Sequence, residues 1–328
     1  MAIKKILLVK YNNSDFLKAC CIFIGCISAI LFRICVGYDG DLNYFISVDD
    51  GSLRNGIMYC IFTPFRFLGA SVSEIVFIYC LIEFYILLKL RKYIPLWYFC
   101  FSIIYPAYLY FPGKEGMAFL LTSTCIYYCK TKKAFLLQWL LIMGVIVLRP
   151  FYLPIFIFGF VVRYINSYYR SLVTDIFFVI TSLMAVYISE DFVIDVAKML
   201  IEVNILYFDD ICAGTTDFNF ISDQSQSSSI FESIINCVVR AFFPFWMIQF
   251  NSFTAKYYFV AYCLSVISSA IIMCSNKNRM ILFLTFLLTM ILLSPFVSVN
   301  AGSAARYVSV LPFIMYCLIV FIERQNKA

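Results

Sequence analysis

Apolar residues fall in long blocks along this chain, and charge collects in the gaps between them. The blocks run roughly 15–21 residues, too long and too uncharged for the core helices of a soluble fold. A backbone in hydrocarbon must satisfy its own hydrogen bonds, so each block predicts a helix. The alternation of a membrane β-barrel is absent. The pattern predicts an all-α, polytopic integral membrane protein with a single transmembrane domain over residues 1–328. About ten spans are expected, near 16–36, 71–89, 95–112, 116–129, 134–148, 151–165, 171–188, 257–274, 280–297 and 306–323.

The loop charges orient these spans. Lys4, Lys5 and Lys10, then Lys89, Arg91 and Lys92, then Lys130, Lys132 and Lys133 occupy alternate gaps. Arg163 and Arg170, Lys277 and Arg279, and Arg324 and Lys327 continue the series. The positive-inside rule makes that side cytoplasmic, with both termini inside. Acids collect opposite: Asp39, Asp41, Asp49 and Asp50 in a first outer loop, and Glu190 to Glu232 in a long one. Two apolar stretches, 56–69 and 231–251, break the alternation if they cross. They read instead as interfacial or re-entrant helices, interrupted by Pro64 and Pro244, within outer loops at 37–70 and 189–256.

Composition agrees with this pattern. The chain is 63% hydrophobic and 13% charged, against about 45–50% and about 25% in soluble domains. The net charge of +6 sits mostly in short loops, which membrane orientation requires, so nucleic acid is not an expected partner. The first block, following three lysines and showing no cleavage pattern, reads as a retained signal anchor. Most of the fourteen cysteines lie in or beside apolar blocks, as small hydrophobes. There is no CxxC, and there is no histidine, which excludes His-based triads, metal sites and bases. No metal ligand set and no cofactor is predicted.

Basic residues on the acidic side need another explanation. Lys114 stands in Phe-Pro-Gly-Lys-Glu-Gly (111–116), Arg149 in Leu-Arg-Pro, and Arg240 in Val-Val-Arg-Ala-Phe-Phe-Pro. Arg306 stands in Ala-Gly-Ser-Ala-Ala-Arg-Tyr, with Arg54 and Arg66 in the first outer segment. A charge near the hydrocarbon boundary costs roughly 1–3 kcal/mol unless it is paired or hydrated. Each alone reads equally well as snorkelling to headgroups. As a set they suggest a pocket for an anion, since arginine grips phosphate bidentately and lysine acts as a point charge. Asp39 and Asp41, separated by Gly40, suit a divalent cation or the deprotonation of a hydroxyl. Glu115 is the rival acid, with an ion pair to Lys114 as its plain reading. Outer aromatics, Tyr44, Tyr105, Tyr152, Tyr307 and Trp246 among them, fit an interfacial belt and also suit sugar faces.

Four segments carry a resemblance. They are Gly37-Tyr38-Asp39-Gly40-Asp41 to Tyr44, Tyr105-Pro106 through Lys114-Glu115, Arg149-Pro150, and Gly302 to Tyr307. In this order the chain resembles the bacterial O-antigen polymerases (Wzy type) and related exopolysaccharide polymerases. The resemblance implies an inner-membrane glycosyltransferase facing the periplasm, acting on undecaprenyl-pyrophosphate-linked glycan. It would move a growing chain from its lipid carrier onto a new lipid-linked repeat. Lys114, Arg149, Arg240 and Arg306 would stabilise the pyrophosphate, with Tyr44 and Tyr307 at the sugar. Asp39, Asp41 or Glu115 would activate the attacking hydroxyl. The partners implied are membrane lipid, a chain-length regulator and a flippase.

Three other readings stay open: a polytopic transferase adding one sugar, a lipid-linked oligosaccharide flippase, and a scaffold without catalysis. An O-acyltransferase is disfavoured by the missing histidine. A flippase is expected to carry charge through the middle of its spans, whereas here Glu83 and Arg33 are read as lying nearer span ends.

Overall fold

Where each helix starts and stops follows from a few caps and prolines. A computed structural model describes residues 13–36, 53–131, 135–149, 152–153, 155–157, 238–249, 253–274 and 301–325, with scattered positions between 283 and 297. Among the described residues the regular structure is all helical, with no strand.

Helix α1, Asn13–Val36, has 24 residues; at 1.5 Å per residue it is about 36 Å long, more than a hydrocarbon core needs. Asp15 in its first turn and Arg33 in its last complement the helix dipole. Helix α2, Leu53–Phe67, ends in a glycine cap. Gly69 takes φ 77°, and the Ala70 N–H reaches back to the Phe65 carbonyl at 3.0 Å. Helix α3, Val72–Leu90, starts from a reciprocal cap: the Ser71 hydroxyl accepts from the Glu74 N–H, and the Glu74 carboxylate accepts from the Ser71 N–H at 2.6 Å. Lys18 near the start of α1 donates to the Arg91 carbonyl just past α3, so the two helices run antiparallel.

The expected span at 95–112 is not one helix. It divides into α4, Leu96–Ser102, and α5, Pro106–Leu109. Proline has no N–H to continue the ladder, so Pro106 starts a new helix after the turn at 103–105. Helices α6, Lys114–Thr131, and α7, Phe135–Leu148, form a hairpin and pack closely. Helix α8 covers Phe253–Cys274. The last apolar block divides as well, into α9, Ala301–Ser309, and α10, Leu311–Gln325, with Pro312 just after the break. Conversely, Pro64 does not interrupt α2, which runs through it for three further residues. Near the C-terminal end a proline removes one ladder bond and leaves the earlier turns intact. Pro244 does mark a boundary, where a 3-10 turn, Pro244–Gln249, follows the helical residues 238–242.

Among the described residues, three segments are long and apolar enough to cross a membrane: Ser14–Cys35, Ala255–Met273 and Ala304–Phe321. The last is 83% buried, which makes it the central post. Tyr98 of α4, Phe119 of α6 and Phe313 of α10 interlock around it, with ring centroids 4.6–5.4 Å apart. Large apolar side chains of α1 and α8, such as Phe23, Leu31, Val260 and Ile271, stay exposed. The expected span at 171–188 and the outer-loop residues 37–52 and 189–237 lie outside the described residues. The blocks at 151–165 and 280–297 are described only at scattered positions, which are helical.

Candidate functional site

The α6–α7 hairpin decides which residues can meet. Because the two helices are antiparallel, the start of α6 and the end of α7 share one end of the bundle. Glu115 belongs to the first turn of α6. Arg149 follows Leu148 directly; its N–H bonds to the Val145 carbonyl at 2.9 Å, which carries the helical path one residue further. The Tyr152 N–H then takes the Arg149 carbonyl at 3.1 Å, turning the chain. Helices α9 and α10 pack against α6, and α9 delivers Arg306 from far along the sequence.

These residues converge on one atom. The Arg306 Nε donates to Glu115 Oε1 at 2.7 Å, and Arg149 Nη2 forms an ion pair with the same oxygen. Glu115 and Arg149 are buried, with side chains 4% and 7% exposed, while Arg306 retains 24%. The Arg149 guanidinium also lies over the Tyr307 ring, 5.5 Å from its centroid. The Tyr152 hydroxyl donates to the Tyr307 carbonyl and fixes that ring's backbone. Lys114, the first residue of α6, is buried beside Glu115 in the chain.

Gly116 makes this end of α6 possible. A Cβ there would meet the Phe111 carbonyl and come within 2.9 Å of the Tyr79 hydroxyl. The turn Phe111-Pro112-Gly113 lies so close that only glycine fits, and it seats the first turn of α6 against α3.

Of the sequence candidates, Glu115, Arg149, Arg306 and Tyr307 are brought together, with Lys114 on the same turn. Glu115 thus has arginine partners from distant segments, beyond the adjacent lysine that its sequence suggests. Arg240 stands on a separate segment, whose carbonyls at Arg240 and Ala241 accept from Trp246 and Tyr262 at 3.3 and 2.6 Å. Asp39, Asp41 and Tyr44 lie outside the described residues. Among the described residues no three of His, Cys, Asp and Glu group as a metal site.

The sequence reading of Glu83 needs correction. It sits seven residues before the end of α3, about 10 Å from that end, and it is fully buried. Hydropathy averaged over a window hides one acid among strong apolar neighbours. Tyr79, one turn earlier, is marked in sequence only by its i,i+4 spacing from Glu83.

No family model, curated protein or solved structure matches the chain.

Proposed function

We propose that this chain is a polytopic membrane glycosyltransferase of about ten spans that acts on lipid-pyrophosphate-linked glycans and polymerises repeat units at the outer face of a bacterial inner membrane. The observation that carries the reading is the shared Glu115 oxygen. Two guanidinium groups, brought from segments 34 and 191 residues away, meet on one buried carboxylate. The two guanidinium groups stand side by side on that carboxylate and together offer a fork of N–H donors, which suits an anion with several oxygens. A pyrophosphate that gains charge as it leaves is such a group, and preorganised cations stabilise it without solvent rearrangement. Tyr307, held under Arg149, offers an aromatic face for a sugar ring.

On this reading Glu115 orients the arginines. The hydroxyl-activating acid then falls to Asp39 or Asp41 of the first outer loop, because Oε1 of Glu115 is already engaged twice. Lys114 and Arg240 would extend the anion-binding face, and Tyr44 would join Tyr307 at the sugar. A chain-length regulator and a flippase are the protein partners this chemistry calls for.

Surface polysaccharide on gels, from a strain lacking the gene and from strains complemented with wild type, Arg149→Ala or Arg306→Ala, tests the reading. Wild type restores a ladder; the two variants leave single repeats while the protein still inserts. Normal ladders from both variants would refute the pyrophosphate clamp. One observation favours a second reading, a lipid-linked glycan transporter: an ionisable side chain, Glu83, lies buried inside an apolar helix. Loss of even the single repeat on deletion would select it.

A further inference from the structure

Among the described residues, nothing partners Glu83. Its side chain is 0% exposed, and neither carboxylate oxygen has a hydrogen-bond partner among the described residues. Tyr79 aside, the polar neighbours on the packed elements are bonded elsewhere. On α1, the Cys26 thiol donates to the Cys80 carbonyl at 3.6 Å. On α3 itself, the Cys80 thiol donates to the Tyr110 carbonyl at 3.2 Å. After α5, the Tyr110 hydroxyl pairs with Ser102 at 2.6 Å, its ring packed on Gly25. From α6, the nearest charged residues by position are Lys114 and Glu115 of the first turn.

A buried polar group without a partner costs free energy that a leucine at the same place would not. An ionisable residue inside an apolar helix is therefore a functional candidate whose ligand has to be found. Among the described residues no three of His, Cys, Asp and Glu group as a metal site there, but a carboxyl can always bind a proton. A second unpartnered polar group lies between Glu83 and the start of α6. Tyr79 lies one turn from Glu83 on the same face of α3, it is 8% exposed, and its hydroxyl also has no partner among the described residues. That hydroxyl abuts Gly116, next to Glu115. A hydroxyl both donates and accepts, so it can pass a proton where a carbonyl cannot.

We propose that Glu83 is a proton-binding site inside the helix bundle, which exchanges its proton through the Tyr79 hydroxyl with the Glu115 end of α6. The site takes a proton whatever the substrate at the arginines, so it stands apart from the glycan reading. It would serve equally a hydroxyl that loses a proton on attack and a transport step driven by protons.

Full-length protein in proteoliposomes is treated with dicyclohexylcarbodiimide, an apolar reagent for protonated carboxyls, and the adduct is mapped by peptide mass. The expected result is an adduct on Glu83 that diminishes as pH rises, with far less from a water-soluble carbodiimide. A Glu83 that stays unlabelled at every pH in the folded protein, yet reacts once denatured, overturns the proposal; so does labelling that ignores pH. Tyr79→Phe keeps the ring and removes the relay. After a pH jump it should slow the change in labelling by about a hundredfold or more, in the range of a lost proton-transfer group. An unchanged rate in a folded Tyr79→Phe protein overturns the route through Tyr79. Because the readout is labelling, it decides the proton site even if no polymer is ever made, and a missing ladder cannot be mistaken for its failure.

Discussion

Replacing Glu115 with glutamine is the sharpest stability test of the site, because the change removes charge and leaves shape. In the native arrangement one carboxylate oxygen serves both Arg149 and Arg306. Glutamine would leave two guanidinium groups side by side around a neutral amide, one of them only 7% exposed. Removing one partner of a buried ion pair costs about 3–5 kcal/mol. Arg306→Ala is the contrast: the Glu115–Arg149 pair survives, and Arg306 is already 24% exposed, so its loss should cost nearer 1 kcal/mol. At roughly 2 °C per kcal/mol for a chain of this size, the midpoints should fall by about 6–10 °C and about 2 °C. The protein carries its own probe: Cys26, Cys80 and Cys317 are buried thiols, so a thiol-reactive dye reports unfolding in detergent. The double variant should be less destabilised than the sum, since removing Arg306 relieves the repulsion that Glu115→Gln creates, with a coupling of about 1–3 kcal/mol. Equal shifts for the two single variants, or strict additivity, would refute the shared-carboxylate account.

Two glycines and a thiol pair give further checks. Gly116→Ala would drive a methyl into the Phe111 carbonyl and the Tyr79 hydroxyl; a loss of about 1–3 kcal/mol is expected, read by the same thiol assay, and Tyr79→Phe should not restore it. Gly25→Ala would place its methyl inside the Tyr110 ring, and here Tyr110→Leu in the same chain should recover much of the loss, which a thermal midpoint measures. Cys21 of α1 and Cys100 of α4 hold their sulfurs 3.8 Å apart; mild copper-phenanthroline oxidation should join them in mapped peptides, and failure to do so would contradict the α1–α4 contact.

Much of the helical layout was legible because the signals involved are local. The expected blocks at 16–36, 71–89, 116–129, 134–148 and 257–274 lie on helices Asn13–Val36, Val72–Leu90, Lys114–Thr131, Phe135–Leu148 and Phe253–Cys274. Each is bounded by charges or caps that a single sequence displays. Breaks inside apolar blocks were not legible, since Tyr105-Pro106 and Leu311-Pro312 scarcely alter a hydropathy average. The residues of the candidate site were legible in type: Lys114, Glu115, Arg149, Arg306 and Tyr307 stood out because each places polarity at the edge of an apolar block. Their pairing was not. Which arginine meets Glu115 depends on how α6, α7 and α9 pack, and nothing near Glu115 in sequence encodes a partner 191 residues away.

Charge placement in this chain follows cost, and the exceptions carry the information. Lys18 donates to a helix-end carbonyl, and Lys130 reaches the Tyr316 hydroxyl; both are long side chains that find a partner cheaply at a helix end. Glu115, Arg149 and Arg306 are more expensive, being drawn inward, yet they compensate one another. Glu83 is the most expensive, with no compensation in the described structure. A chain whose apolar blocks exclude almost every other acid has kept this one at a depth of about 10 Å from the helix end. If it served packing alone, Glu83→Leu would stabilise the protein and leave function unchanged, since burying an apolar group of similar size removes the desolvation cost. If it binds a proton that the cell uses, the same variant should raise the thermal midpoint while abolishing activity. A more stable and fully active Glu83→Leu protein would assign this residue to packing.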